Sequence, residues 1–288
     1  MEGAVKLLIL AGAAATLLAA QSPDVNSIMA QVATNQAKSR EQRAQWIYQQ
    51  KQLLRMVRAG GKIAREEHRE YLVLPDRRGV KKQLTHFEGR YAKQGAYLSY
   101  DQPGYRYKGL DLDGDLIEGL SKGLTDDEKS VDGIEADLFP LTYHQQLKYA
   151  FHLIGGLEDY RGRKVWRVHF EPKTKASLLD ADESGGAIWK GEALIDAEEF
   201  QPVAVNTSLA TKLPAAVRIL LGTNIRGLGF SLEYGKVADG IWFPVSYGGE
   251  FEVTGLFFYR RTMSISLANS GFRHADVSSQ IAYAEDEQ

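Results

Sequence analysis

The strongest constraint on this fold is a two-residue alternation of apolar and polar side chains that recurs through the second half of the chain. It is clearest at Met263, Ile265 and Leu267, which alternate with threonine and serine. Such alternation is typical of a strand with one buried face. The same pattern predicts further strands at 166–170, 193–196, 203–209, 230–234 and 241–247.

Short polar turns join these strands, for example at 196–199 and 238–240. Strands connected this closely pair most economically as an antiparallel meander. The first half of the chain predicts a hairpin, with arms at 46–58 and 62–74 around the turn residues 59–61. The charged middle of its second arm, 65–70, suits a surface helix equally well.

A helix is predicted to open the fold. Val25, Ile28, Met29 and Val32 follow the i, i+3, i+4, i+7 spacing of an amphipathic helix, with Ser22 or Asp24 as the candidate N-cap. A second, short apolar helix is predicted at 214–221. The Gly- and Asp-rich segment 100–139 is interpreted as a long connection with one helical turn near 125–128.

The N-terminus resembles an export signal. Lys6 precedes an apolar run at 7–20, and a polar stretch follows from Gln21. The run is shorter than the roughly 20 residues that a spanning helix needs. We expect a cleavable signal peptide at 1–20, a periplasmic mature chain and a single domain at 21–288 with a loop insertion at about 100–139. The alternative is an uncleaved anchor in the inner membrane.

Composition excludes several classes of function. The chain has no cysteine, which excludes thiolate catalysis and cysteine-ligated metals. A formal net charge of −2 gives no positive field for nucleic acid. The six histidines lack metal-ligand spacing, so we expect no metal, no cofactor and no nucleic-acid partner.

Two motifs carry alternative readings. The segment 119–123 matches G-x-S-x-G, which needs a buried strand before it and a helix after it. The sequence predicts neither, so a hydrolase acting through Ser121 is only an alternative, and we expect no enzyme. Asp111, Asp113 and Asp115 resemble the start of a calcium loop, but Leu116 replaces the turn glycine, which favours a solvated acidic turn.

Three segments of the second half carry a family resemblance: WKGEALID at 189–196, EFQPV at 199–203 and GIWFPVSY at 240–247. Their order resembles the outer-membrane lipoprotein-sorting proteins, the LolA/LolB-like group. The resemblance implies an α+β, β-rich fold in which a strongly curved antiparallel sheet forms an incomplete β-barrel and short helices cover a hydrophobic cavity. It also implies a monomer that carries lipid or acylated lipoprotein from an inner-membrane donor to an outer-membrane acceptor. The alternative within this fold is an envelope-stress sensor or protein-binding module.

Candidate site residues follow from the alternation and the resemblance together. We expect the inward side chains of the strands to line the cavity and the short apolar helix to cover its mouth. The predicted lining consists of Trp166, Val168, Phe170, Phe230, Leu232, Met263, Ile265 and Leu267. The predicted lid consists of Val217, Leu220 and Leu221.

Overall fold

The computed structural model describes residues 23–75, 80–125, 139–174, 187–210, 224–255 and 259–275. Its elements in chain order are α1 (Val25–Arg43), β1 (Trp46–Arg58), β2 (Ile63–Pro75), β3 (Val80–Lys93), β4 (Ala96–Tyr100), α2 (Leu112–Thr125), α3 (Tyr143–Gln146), β5 (Tyr149–Tyr160), β6 (Arg163–Pro172), β7 (Trp189–Asp196), β8 (Pro202–Leu209), β9 (Asn224–Arg226), β10 (Gly229–Ala238), β11 (Ile241–Gly255) and β12 (Tyr259–His274).

The strands form one antiparallel sheet in the order β4-β3-β2-β1-β12-β11-β10-β8-β7-β6-β5, and β9 pairs with β11. Pairing of β1 with β12 joins the first four strands to the rest, so the two end strands of this order are β4 and β5. Those two strands do not pair with each other in the described residues. The predicted antiparallel, β-rich fold with an incomplete barrel is therefore confirmed.

Helix α1 lies on the inner face of the curved sheet. The Asp24 side chain caps it by accepting from the backbone N–H of Ser27, so Asp24 is the N-cap among the two predicted candidates. Its first half buries Ile28, Met29 and Val32 in the main core. Its second half is held by polar contacts, including a buried bond from the Gln36 amide to Gln201. One inner helix is thus apolar at its start and polar at its end.

The interpretation of 100–139 as mostly connection is wrong for its described part, because α2 occupies Leu112–Thr125. Three glycines lower the intrinsic helix propensity of this stretch, so its local sequence does not indicate a helix. Tertiary packing compensates: Ile117 is fully buried against the core, and the Asp111 carboxylate caps the helix by accepting from the backbone of Gly114. The turn predicted at 125–128 lies outside the described residues apart from Thr125.

Other predicted features also fall outside the described residues. These are the signal peptide at 1–20 and the short helix at 214–221 with its lid residues Val217, Leu220 and Leu221. The strands β4 and β9 were not predicted, because both are too short for alternation to stand out.

Candidate functional site

A continuous row of paired residues crosses the inner face of the sheet. Each member is the register partner of the next on the neighbouring strand, so all ten point to the same side. From β5 to β3 the row is Leu153, Val168, Ala193, Val205, Leu232, Tyr247, Leu267, Gln52, Arg69 and Phe87. Its first seven members are aliphatic or aromatic, the polar Gln52 and Arg69 follow, and Phe87 ends the row. The interior is therefore apolar on the β5–β12 side and polar on the β1–β2 side.

The predicted lining residues lie in the apolar part of this interior. Seven of the eight are fully buried in one core cluster, and Trp166 is half-buried against it. The structure thus brings all eight together on the inner face. That they contact a ligand remains a prediction.

Aromatic rings fill the middle of the apolar part. The Tyr247 ring stacks on Phe230 with centroids 5.3 Å apart, and Phe230 meets Trp189 edge-on at 5.4 Å. Phe139 approaches Tyr247 edge-on at 6.3 Å. Gly249 makes room for this group, since a Cβ there would overlap the Phe230 ring.

The apolar interior reaches the surface at β5 and the segment before it. Phe139 and Leu141 are buried in the core, but α3, which follows them, carries the largely exposed Tyr143 (70%). Leu147 just after α3 and Leu157 at the far end of β5 are also exposed. Exposed apolar residues therefore flank the strand at which the apolar row ends.

The polar part of the interior is a buried ionic cluster beneath α2. The Arg65 guanidinium donates to Asp111 (Nη1–Oδ2, 2.7 Å) and to the Tyr100 hydroxyl (2.7 Å), which in turn donates to Glu67 (2.6 Å). Arg69 binds Glu67 as well. These five side chains, named here the buried ionic cluster, are all almost completely buried.

The cluster extends to α2 and across the sheet. Arg69 also binds Glu118 and the Ser121 hydroxyl of α2, and Ser121 donates to Gln52 (Oγ–Oε1, 3.3 Å). Hydrogen bonds continue from Gln52 through Gln50 to Asn269. Helix α2 is therefore fixed to the sheet by charged and polar contacts.

The geometry does not fit the nucleophile-elbow alternative for Ser121. The residue lies inside α2 rather than at a strand-to-helix turn, and its buried hydroxyl is engaged by Arg69 and Gln52. The surroundings of Ser121 therefore do not match a nucleophile elbow.

The three aspartates that resemble a calcium loop each pair with a different arginine. Asp113 accepts from Arg261 and from the Tyr259 hydroxyl, while Asp115 pairs with Arg106. Asp111 belongs to the buried ionic cluster. The expected solvated acidic turn is therefore wrong for Asp111, and the described ranges contain no grouping of histidine and acidic residues that could hold a metal.

The outer face of β2 carries a second buried carboxylate, Glu66, bound by Arg55 and by Arg90 (Nη2–Oε1, 2.6 Å). Burial opposes its ionisation, but the hydrogen bonds and charges of both arginines outweigh burial and hold the pKa of Glu66 below its usual value. A lowered folded pKa gives stability above the unfolded pKa, near 4.5, that is lost as the pH falls.

We therefore expect Glu66→Gln to lower the free energy of unfolding by about 1.5–3 kcal/mol at pH 7, because charged hydrogen bonds are lost. The difference in the free energy of unfolding between the parent protein and the variant should shrink as the pH falls below 4.5, because the Glu66 carboxylate of the parent becomes protonated there. Urea unfolding of both proteins from pH 7 to pH 3 measures this. A gap that stays constant with pH would contradict the assignment.

Sequence reasoning missed the buried ionic cluster. Arg65, Glu67 and Arg69 were visible as alternate residues of a strand arm, but a charged row is normally solvent-exposed. The signal that could have found it is the pairing of this row with the acidic residues of 111–118.

Several solved structures are similar to this fold. The structure is similar to an outer membrane lipoprotein-sorting protein domain from Vibrio parahaemolyticus, with 13% identity, a TM-score of 0.37 and coverage of 87% of this chain and 95% of that one. It is also similar to a DUF1329 family protein from Desulfovibrio piger, with 14% identity, a TM-score of 0.33 and coverage of 90% and 96%. A third similar structure is the Pseudomonas aeruginosa MucA/MucB complex, with 9% identity, a TM-score of 0.24 and coverage of 85% and 99%.

Sequence comparison gives a different result. No protein-family model matches the chain, and no curated protein matches it. Among the helices of the described residues, none has the length and hydropathy to cross a bilayer.

Proposed function

We propose that this chain is an exported binding protein that holds the acyl chains of a lipid or acylated lipoprotein against the apolar part of its inner face. The observation that carries the proposal is the apolar row from Leu153 to Leu267, which runs across seven strands and ends at the edge strand β5, whose one partner among the described residues is β6. An inner face of this kind, on which the described part of the chain packs no second sheet, is suited to an apolar ligand.

Energetics favour such a ligand. Each buried methylene contributes about 0.8 kcal/mol, so ten methylenes supply about 8 kcal/mol before ordering costs are subtracted. The inner residues are almost fully buried in the described state, so a ligand must displace an element that covers them. The covering element and the ligand bury similar apolar areas of the inner face, so the free and bound states differ little in free energy. An acceptor can then take the ligand.

Entry at β5 is the route that the contacts favour. Helix α2 is fixed by the buried ionic cluster, whereas the segment from Phe139 to α3 covers the core mainly by apolar contacts. We propose that this segment moves to admit the acyl chain, in addition to the movement of the lid that the sequence predicts at 214–221. The periplasmic location and the transfer between inner-membrane donor and outer-membrane acceptor belong to the same proposal.

The test uses two neighbouring residues on opposite faces of β5. Leu153 faces the interior and pairs with Val168, whereas Ile154 points outward. Leu153→Asp should weaken binding of a fluorescent fatty acid at least tenfold, because a carboxylate on the apolar face is desolvated without a partner. Ile154→Asp should stay within twofold of the parent protein.

Native mass spectrometry of the mature protein, followed by solvent extraction, identifies the bound lipid. Circular dichroism of both variants confirms that they fold. A parent protein that is purified empty and binds neither a fluorescent fatty acid nor a fatty-acid ester contradicts the proposal and favours the protein-binding alternative. Equal losses in the two variants contradict the proposed entry at the inner face of β5.

A further inference from the structure

Tyr247 carries a buried hydroxyl in the middle of the apolar part. Its side chain is 2% exposed, and its hydroxyl has no hydrogen-bond partner within the described structure. The neighbours on its row, Leu232 and Leu267, are aliphatic, and the flanking rings are Phe230 and Phe139. The ring is clamped by these aromatic contacts, so the hydroxyl has a fixed position.

An unpartnered buried hydroxyl is unfavourable, and phenylalanine would fill the same space without this cost. Buried polar groups are otherwise satisfied in proteins, so an exception calls for a partner that this structure does not contain. Burial also raises the pKa of the Tyr247 phenol, which keeps it protonated and therefore a donor. The missing partner must then be a hydrogen-bond acceptor within the apolar interior.

We propose that the Tyr247 hydroxyl donates a hydrogen bond to the ester or amide carbonyl of the bound ligand and so selects acyl esters and amides over plain hydrocarbons and free fatty acids. This inference rests on the proposed function, since it assigns the polar group of the same ligand. Tyr247 is thus a specificity-determining residue, while its apolar neighbours supply affinity.

An uncharged acceptor fits this position better than a carboxylate. The inner-face arginines nearest on the sheet are engaged: Arg69 binds Glu67 and Glu118, and Arg261 binds Asp113. Arg69 lies three strands from Tyr247 on the row, about 15 Å away at the usual strand spacing. A fatty-acid carboxylate at Tyr247 would therefore gain one neutral donor and no cation from these residues, which does not repay its desolvation.

The test compares Tyr247→Phe with the parent protein. Displacement of the apolar fluorophore N-phenyl-1-naphthylamine reports binding of two probes with the same number of heavy atoms, methyl laurate and n-pentadecane. Loss of the hydroxyl should weaken methyl laurate binding about tenfold, because the ester carbonyl is left buried without a donor. Binding of n-pentadecane should change less than twofold. Lauric acid at pH 8 should bind the parent more weakly than its methyl ester does.

The matched control is Tyr149→Phe. Tyr149 is buried in the same core, but its hydroxyl is hydrogen-bonded to the backbone of Trp189. This variant should leave the ratio of the two affinities unchanged.

Three outcomes would overturn the inference. Unchanged methyl laurate binding by Tyr247→Phe would mean that the hydroxyl serves only a water molecule. Equal weakening of both probes would mean that the substitution acts through packing. A parent protein that binds neither probe overturns the proposed function and this inference with it, whereas the first two outcomes leave the proposed function standing.

Discussion

Replacing Arg65 with methionine should lower the free energy of unfolding by about 3–5 kcal/mol, the usual effect of removing one partner from a buried ion pair. Arg65 contacts Glu67, Tyr100 and Asp111, and its removal leaves both carboxylates in a buried site with fewer donors. Urea denaturation at pH 7 measures the loss. Strand β4 and helix α2 should lose hydrogen-exchange protection first, because Arg65 bonds Tyr100 of β4 and Asp111 at the start of α2.

Arg106→Met is the matched control. Arg106 pairs with Asp115 of α2, but both side chains are substantially exposed. Loss of this ion pair should therefore lower the free energy of unfolding by less than about 1 kcal/mol. Arg65→Lys keeps the charge but not the planar fork, and an intermediate loss is expected. A loss in Arg65→Met as small as that in Arg106→Met would contradict a structural role for the buried ionic cluster.

Most of the sheet could be predicted from sequence because its strands have one apolar and one polar face. The alternation at Met263, Ile265 and Leu267 identifies β12, and the turn at 59–61 separates the two arms of the first hairpin. Register partners bring the predicted inward residues onto one face, as the row through Leu232 shows. Pairing of β1 with β12 could not be predicted, because no local signal links residues so far apart.

The polar part of the interior could not be predicted for a physical reason. The charges of Arg65, Glu67 and Arg69 are tolerated inside because each finds a partner on another element. Glu67 is bound by Tyr100 of β4, whereas Arg65 and Arg69 bind Asp111 at the start of α2 and Glu118 within it, and the helix propensity of α2 is poor. Two features that each look unfavourable locally therefore stabilise one another, and only the assembled structure reveals this.

This division of the interior assigns different properties to its two parts. Ionic contacts are directional and costly to break when buried, so α2 should stay fixed on β1 and β2. Apolar contacts at α1, α3 and β5 can be exchanged for contacts with an acyl chain of similar area at little net cost. A carrier needs one rigid part for its fold and one exchangeable part for its ligand.

Truncation of Phe230 to alanine tests the exchangeable part, and it should lower the free energy of unfolding by about 3–5 kcal/mol. Phe230 is buried between Tyr247 and Trp189, and its loss leaves a cavity roughly the size of a benzene ring. Ser231→Ala, at the adjacent outward and exposed position, should change stability by less than about 1 kcal/mol. Thermal and urea unfolding of the two variants measure the difference.

Addition of benzene to Phe230→Ala then tests whether the new cavity stays open or is filled by neighbouring side chains. If the inner face of Phe230→Ala stays packed, benzene fills the new cavity and raises its melting temperature, while the parent protein does not respond. If the segment from Phe139 to α3 collapses into the cavity, benzene has no effect and the measured loss falls below about 3 kcal/mol, because relaxation removes the cavity cost. Collapse would show that the apolar groups around Phe230 repack readily, which favours admission of an acyl chain at β5. A rigid cavity together with unimpaired fatty-acid binding would instead place the acyl chain away from Phe230 and contradict its predicted part in the lining.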